Sequence, residues 1–369
     1  MATTGFFHDE QTLWHGPGTP FAAFVPVGRW VEPLQEGLVE APETKRRIKS
    51  LLDVSGLTTH LVVKSAAPAS EADLLRVHTS DYLRRFKEGS DAGGGDMGDL
   101  APFGPGSYEI AKVSAGLAIA AAEDVWLGAH SNAYALCRPP GHHVGRDRGM
   151  GFCLLNNIAV AIEAIKERHG AGRIAVIDWD VHHGNGTQQL FYERDDVLTI
   201  SLHQENCFPP FSGAANELGA GRGLGFNINL PLLPGGGSSV YAYAFERVIL
   251  PAVNRFRPNM IIVASGFDAN ASDPLSRMQL GPEDFRSMMR WTKELAEQHA
   301  GGRLVAIHEG GYCKVSVPFC ALAAVEELSG IRTEVPDVLS PLVAIKQAST
   351  AFDILQRRLI DEMAALHGL

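Results

Sequence analysis

The chain has 369 residues, 45% hydrophobic and 20% charged, the balance of a globular protein with a large core. A net charge of −10 and a pI near 5.8 argue against a general nucleic-acid or anionic-membrane surface, and no apolar run reaches the ~20 residues of a membrane span. The five cysteines, Cys137, Cys153, Cys207, Cys313 and Cys320, form no C-x-x-C pair and fit reduced thiols, and the first ten residues lack a secretory pattern, so a cytoplasmic location is expected.

In chain order, residues 1–50 read as a loop-rich extension packed on a single domain spanning 1–369, because no repeat, low-complexity tract or long linker divides the chain. Gly93-Gly94-Gly95 marks a loop, and apolar residues recurring at three and four predict a helix over 107–127. A short apolar run at 133–137 predicts a strand, followed by Arg138-Pro139-Pro140-Gly141-His142-His143 and a helix over 153–169. The run 174–177 predicts a strand that delivers Asp178-Trp179-Asp180-Val181-His182-His183-Gly184-Asn185-Gly186, with Asp178, Asp180 and His182 alternating onto one face. Strands over 197–202 and 226–230, a Gly235-Gly236-Gly237 loop and a helix over 239–256 follow. A strand at 260–264 leads into Ser265-Gly266-Phe267-Asp268-Ala269-Asn270, then a helix over 282–299. The last strand, 304–307, is followed by Glu309-Gly310-Gly311-Tyr312 and a helix over 318–328. Strand–helix alternation predicts an α/β domain whose parallel sheet is covered on both faces. Ligands of such sheets bind beyond the carboxyl ends of the strands, where all four polar segments sit.

Alone, Asp-x-His ahead of Gly184-Asn185-Gly186 reads as a helix cap and a turn. Four strand ends carrying reactive groups shift that balance. Carboxylate oxygen and imidazole nitrogen suit Zn²⁺ or another borderline divalent ion, whose catalytic sites take three protein ligands and keep one position open. Asp180 and His182 supply two, and Asp268, just past Gly266, is the best third, although by itself it reads as an Asx-turn residue. Such an ion lowers the pKa of water and polarises a carbonyl, which points to amide or ester hydrolysis. His142 and His143 follow a stiff Pro-Pro-Gly and offer a general base near working pH, whereas a lone histidine pair is more often structural. Tyr312 can donate its hydroxyl to an oxyanion, whereas alone it reads as a packed loop aromatic.

Together these segments resemble the zinc-dependent histone deacetylase family, which shares the Pro-Gly-His-His, Asp-x-Asp-x-His-His-Gly, Gly-Phe-Asp and Glu-Gly-Gly-Tyr motifs in this order. The likeness runs from His8-Asp9 and the Leu75–Leu83 segment to about Leu328 and is nearest to the class II-like bacterial histone deacetylase-like amidohydrolases. It implies an arginase/deacetylase-like single domain, α/β, with a central parallel eight-stranded sheet flanked by helices. It also implies a hydrolase of linear amide C–N bonds (EC 3.5.1.-) that removes acetyl or related acyl groups from acyl-lysine-like amides, using water activated by one zinc per chain. Asp180, His182 and Asp268 match the zinc ligands, and Tyr312 matches the transition-state tyrosine. His142 and His143 match the tandem histidines, paired with Asp178 and Asn185 respectively. Class I members carry Asp where Asn185 stands, so His143 is expected to titrate lower and act as the neutral base, with His142 the more cationic partner.

The resemblance further places Gly151, Phe152 and Phe208 along a narrow tunnel for a slim acylated amine, and counts Leu275 and Gly310 with the substrate-binding residues. A structural potassium site matches Asp178, Asp180, His182, Ser201 and Leu202. A second matches Phe191, Arg194, Val197 and Phe226, where Arg194 and Phe226 depart from the polar residues common there. Leu275 stands where one polyamine-specific branch carries an acidic gatekeeper, so acyl-lysine-like substrates are favoured over the alternative, acetylpolyamines. The non-enzymatic alternative is a metal-dependent ligand-binding protein with little turnover. Arginase-like two-manganese chemistry lacks evident second-metal ligands, because Val181 separates Asp180 from His182. The stretch from Phe21 to Val39 reads as a loop able to serve an isologous interface, so a homo-oligomer, dimer or tetramer, is expected.

Overall fold

Short runs of β-branched and apolar residues, too brief for helices, pair into one sheet in the computed structural model, which describes residues 3–17, 32–33 and 37–369. The strands are β1 (Thr4–Phe7), β2 (Val62–Lys64), β3 (Asn132–Ala135), β4 (Ile174–Asp178), β5 (Val197–Gln204), β6 (Asn227–Leu232), β7 (Met260–Ser265) and β8 (Leu304–His308). Their spatial order is β6-β5-β4-β7-β8-β3-β1-β2, and every pair is parallel, as the family resemblance implies. Alternate residues serve opposite faces. Ile174 and Val176 pack with Leu117 of α4 (Ser107–Trp126) and Ile158 of α5 (Asn157–His169). Ala175 and Ile177 join Phe285 of α9 (Pro282–His299) and Val325 of α10 (Ser316–Ser329) on the other face. Both faces are thus sealed, which is why these strands read as continuous apolar runs.

The register sets where the polar loops emerge. Asp178 lies opposite Ala264, Ser265 opposite His308, and Ile307 opposite Ala135, so β4, β7, β8 and β3 end side by side. Each then releases its motif at the same edge.

Several elements differ from the sequence expectation. The strand bearing the Asp/His segment stops at Asp178, so Asp180 and His182 lie on a loop and do not share a strand face with Asp178. Helix α5 starts at Asn157, not at 153, because the Asn156 side chain accepts the Ala159 N–H at 2.9 Å and caps it there. The helix expected over 239–256 is α-helical over Ser238–Ala244 and Leu250–Phe256, with a π turn at Phe245–Ile249 between them; Pro251 has no N–H to bond four residues back. Residues 1–50 are not simply a loop-rich extension. Thr4–Phe7 lies inside the sheet between β3 and β2, and Glu43–Val54 is a helix that buries Ile48 and Leu52. Most of the Phe21–Val39 stretch lies outside the described residues. Among the described residues, no helix is long and apolar enough to cross a membrane.

Phe6 of β1 is fully buried and stacks on Tyr134 with ring centroids 5.9 Å apart. Truncating it as Phe6→Ala is expected to cost about 3–5 kcal/mol in a denaturant titration. A loss under ~1 kcal/mol would place β1 outside the cooperative core.

Candidate active site and metal centre

The loop after β4 folds back so that three donors meet. Asp180 Oδ1 and Asp268 Oδ2 each lie 3.1 Å from His182 Nδ1. Both carboxylates are fully buried and His182 is 6% exposed. Each carboxylate's other oxygen is tied to backbone: Gly310 N–H donates to Asp180 Oδ2 at 2.8 Å, and Val181 N–H donates to Asp268 Oδ1 at 2.7 Å. Asp180 Oδ1, which also accepts the His182 backbone N–H at 3.0 Å, is thus brought to a common point with Asp268 Oδ2 and His182 Nδ1. Burial, reinforced by the neighbouring Asp180 charge, pushes the Asp268 carboxyl up to about 7. Two buried acids sharing one imidazole carry charge that a divalent cation would neutralise, and two oxygens with one nitrogen suit zinc. The trio fits such an ion. A second group of buried donors, His142, Cys153 and Glu309, lies alongside, with His142 Nδ1 on Asp178 and Glu309 Oε2 on the Gly141 and His142 N–H groups.

The tandem histidines sit beside this point with ring centroids 3.9 Å apart. His142 Nδ1 is 3.0 Å from Asp178 Oδ2, and His143 Nδ1 is 2.8 Å from Asn185 Oδ1. Burial disfavours charge on His142, but the Asp180 and Asp178 carboxylates outweigh it and hold that imidazole up, at about 10. Burial and the cationic His142 and His182 push His143 well below its ordinary value. The Asn185 oxygen can only accept, so His143 Nδ1 carries the hydrogen and Nε2 keeps its lone pair. Helix α6 (Asn185–Phe191) fixes the pair from below, since the Gly186 and Thr187 N–H groups both donate to the His142 carbonyl.

Above the trio opens a cavity of about 230 Å³ lined by His143, Gly151, Phe152, His182, Phe208, Leu275 and Tyr312, together with Leu100 and Cys207. Phe152 and Tyr312 meet edge to face at 5.8 Å, and Phe208 packs on His143 at 5.0 Å. Gly151 is required: its φ is +51°, and a Cβ there would come within 2.4 Å of His143 and 2.7 Å of Phe208. Phe152 also holds a positive φ, 66°, secured by its N–H donating to the Leu100 carbonyl at 2.7 Å. Burial and the Asp268 and Asp180 charges push the Tyr312 phenol well up, so it is a donor throughout the working range.

The structure thus brings together His142, His143, Asp178, Asn185, Asp180, His182, Asp268, Gly310 and Tyr312, with Phe152, Phe208 and Leu275 on the cavity wall. Ser201 and Leu202 lie on β5 beside Asp178. Phe191, Arg194, Val197 and Phe226 lie farther out, where the Phe191 and Phe226 carbonyls accept the Arg194 and Thr199 N–H groups, both at 3.0 Å. Three contributors were not legible from the motifs. Asp273 Oδ2 accepts the Tyr312 N–H at 2.8 Å and so aims that loop, and Leu100 and Cys207 line the cavity. The only sequence signal for Cys207 was its place next to Phe208.

With this geometry in hand, comparisons with known proteins fall into one pattern. The profile of the histone deacetylase domain matches residues 38–328. A histone deacetylase-like amidohydrolase of Pseudomonas aeruginosa is 60% identical over 367 residues, covering 99% of this chain and 96% of that protein. The human polyamine deacetylase HDAC10 is 36% identical over 363 residues, covering 94% of this chain but 51% of that protein. The crystal structure of the HDA15 HD domain matches with a TM-score of 0.80 at 31% identity, over 100% of this chain and 98% of that one. The chain belongs to the histone deacetylase family, a family of deacetylases and amidohydrolases.

Gly310 makes the trio testable without turnover. A Cβ at Gly310 would lie 2.3 Å from Asp268 Oδ2 and 2.7 Å from Asp180 Oδ2. Gly310→Ala is expected to weaken zinc affinity by roughly 10- to 100-fold in a chelator competition titration, as disturbed ligand supports do. Unchanged affinity would move the metal site elsewhere.

Proposed function

We propose that this protein is a zinc-dependent amidohydrolase that removes acetyl or related acyl groups from slim acylated amines of the acyl-lysine kind. The observation that carries this reading is the convergence of Asp180, His182 and Asp268 beside an apolar-walled cavity that His182 lines together with the His143 imidazole and the Tyr312 phenol. Bound by this trio, zinc would supply Lewis-acid polarisation of the amide carbonyl and would acidify water.

The remaining work falls to side chains. His143, kept neutral by burial and the neighbouring His142 and His182 charges and oriented by Asn185, takes the proton from the attacking water at Nε2. His142, held cationic by the Asp180 and Asp178 carboxylates, stabilises the negative charge that develops, and His143 returns the proton it took from water to the amine nitrogen as the C–N bond breaks. Tyr312 donates its hydroxyl to the carbonyl oxygen as that oxygen becomes an oxyanion. Phe152 and Phe208 hold the aliphatic stem, each buried methylene contributing about 0.8 kcal/mol. No carboxylate stands among the described cavity-lining residues, and Leu275 cannot pair with a distal ammonium, which supports acyl-lysine over polyamine substrates. Structural potassium at the two places named above is proposed from the family resemblance alone, and a cytoplasmic homo-oligomer from composition and the N-terminal loop.

Three outcomes check this reading. The zinc-loaded enzyme is expected to turn over acetyl-lysine peptides faster than acetylpolyamines, and the reverse order would replace the substrate assignment. Tyr312→Phe is expected to lower kcat by ~10²-fold or more, as loss of an oxyanion donor does; near-normal turnover would remove Tyr312 from the chemistry, and absence of turnover in the parent would favour a ligand-binding protein. Asn185→Asp places a carboxylate on His143 Nδ1 and raises its pKa. The acidic limb of the kcat/KM profile, which requires neutral His143, should then move up by about one pH unit. An unmoved limb would contradict the assignment of His143 as base.

A further inference from the structure

Glu309 is fully buried just past the end of β8, and its Oε2 accepts the N–H of Gly141 at 2.7 Å and of His142 at 3.0 Å. The next residue, Gly310, donates its N–H to Asp180 and accepts the Phe267 N–H at 3.0 Å through its carbonyl. Two consecutive residues therefore touch three separate loops: the one bearing the tandem histidines, the one bearing Asp180 and His182, and the one bearing Asp268. The histidine loop is also bounded from its far side. Asn157 Nδ2 and Ser114 Oγ both donate to the Pro139 carbonyl at 3.0 Å, and a Cβ on Gly141 would lie 2.5 Å from the Asn157 nitrogen. With the α4/α5 side fixed in this way and the His142 carbonyl held by α6, the carboxylate of Glu309 secures the loop from the β8 side.

We propose, resting on the function inferred above, that Glu309 is a positioning residue: by gripping the backbone of Gly141 and His142 it fixes the distance of both imidazoles from the metal ligands. A carboxyl group suits this task because one of its oxygens can hold two converging donors at the end of a chain long enough to reach them. Its other oxygen, Oε1, is buried without a hydrogen-bond partner, in a group with His142 and Cys153 whose donor atoms all lie within 4.8 Å. That unsatisfied oxygen costs stability. An apolar residue at 309 would avoid that cost, so the cost falls on a group that serves placement of the histidines.

The test uses the full zinc-loaded chain and three variants. Glu309→Met keeps the bulk and removes the acceptor; displacement of the histidines by about 1 Å should lower kcat by roughly 10²-fold. KM for an acetyl-lysine peptide should stay within about twofold and zinc content should stay at one per chain, because the hydrogen bonds of Glu309 reach neither the aromatic walls Phe152 and Phe208 nor the trio. Glu309→Gln retains an acceptor oxygen and should recover most of the lost kcat. Imidazole ¹⁵N resonances of His142 and His143 should move in Glu309→Met and return towards the parent positions in Glu309→Gln. If Glu309→Met does not fold, Glu309→Asp, which shortens the reach by one methylene, should fold and lose at least about tenfold in kcat. Parent-like kcat in Glu309→Met or Glu309→Asp, or equal losses in the Met and Gln variants, would overturn the proposal. The resonances also separate this idea from the proposed function: a parent enzyme without turnover would refute the function, while unmoved resonances would refute the placement role.

Discussion

Two acidic side chains in the interior, Asp180 and Asp268, are aimed at one point with a single imidazole to share, and much of the surrounding structure follows from that arrangement. Carboxylates withdrawn from water and set close together repel one another and are costly unless a cation sits between them. The protein holds them in place by fixing the oxygen of each that faces away, through the backbone N–H groups of Gly310 and Val181. The same crowding explains two glycines. A Cβ on Gly266 would lie 2.1 Å from Asp180 Oδ2, and one on Gly310 would collide with both carboxylates. These glycines are present for clearance at the donors, in addition to any freedom they give the turns.

The parallel sheet makes this convergence possible. Strands β3, β4, β7 and β8 run the same way and end in register, so loops separated by more than a hundred residues emerge within a few ångströms of one another. The neighbouring polar pairs then divide labour by charge. His142 faces a carboxylate and is held cationic, while His143 faces a neutral amide and is held neutral. Adjacent residues of one type thus acquire opposite protonation states from the charges around them, set against a burial common to both.

How legible this was depends on sequence distance. The central strands were readable because burial on both faces makes them uniformly apolar, and the motifs were readable because each is contiguous. Strand β1 is only four residues long and β2 three, and α1 (Glu43–Val54) turns just Thr44, Lys45, Ile48 and Leu52 inward from a strongly basic stretch, so none of them announces itself. At the site, Asp180, His182, Asp268, His142, His143 and Tyr312 could be named in advance. The supports could not. Asp273 acts on Tyr312 across 39 residues and Glu309 acts on Gly141 across 168, and such pairings exist only once the sheet has formed.

One zinc ion per chain is expected between Asp180, His182 and Asp268, and diffraction from zinc-loaded crystals on either side of the zinc absorption edge would locate it. A single strong anomalous peak per chain should appear within coordination distance of Asp180 Oδ1, His182 Nδ1 and Asp268 Oδ2. A principal peak among His142, Cys153 and Glu309, or two peaks of equal strength bridged by Asp180, would contradict it.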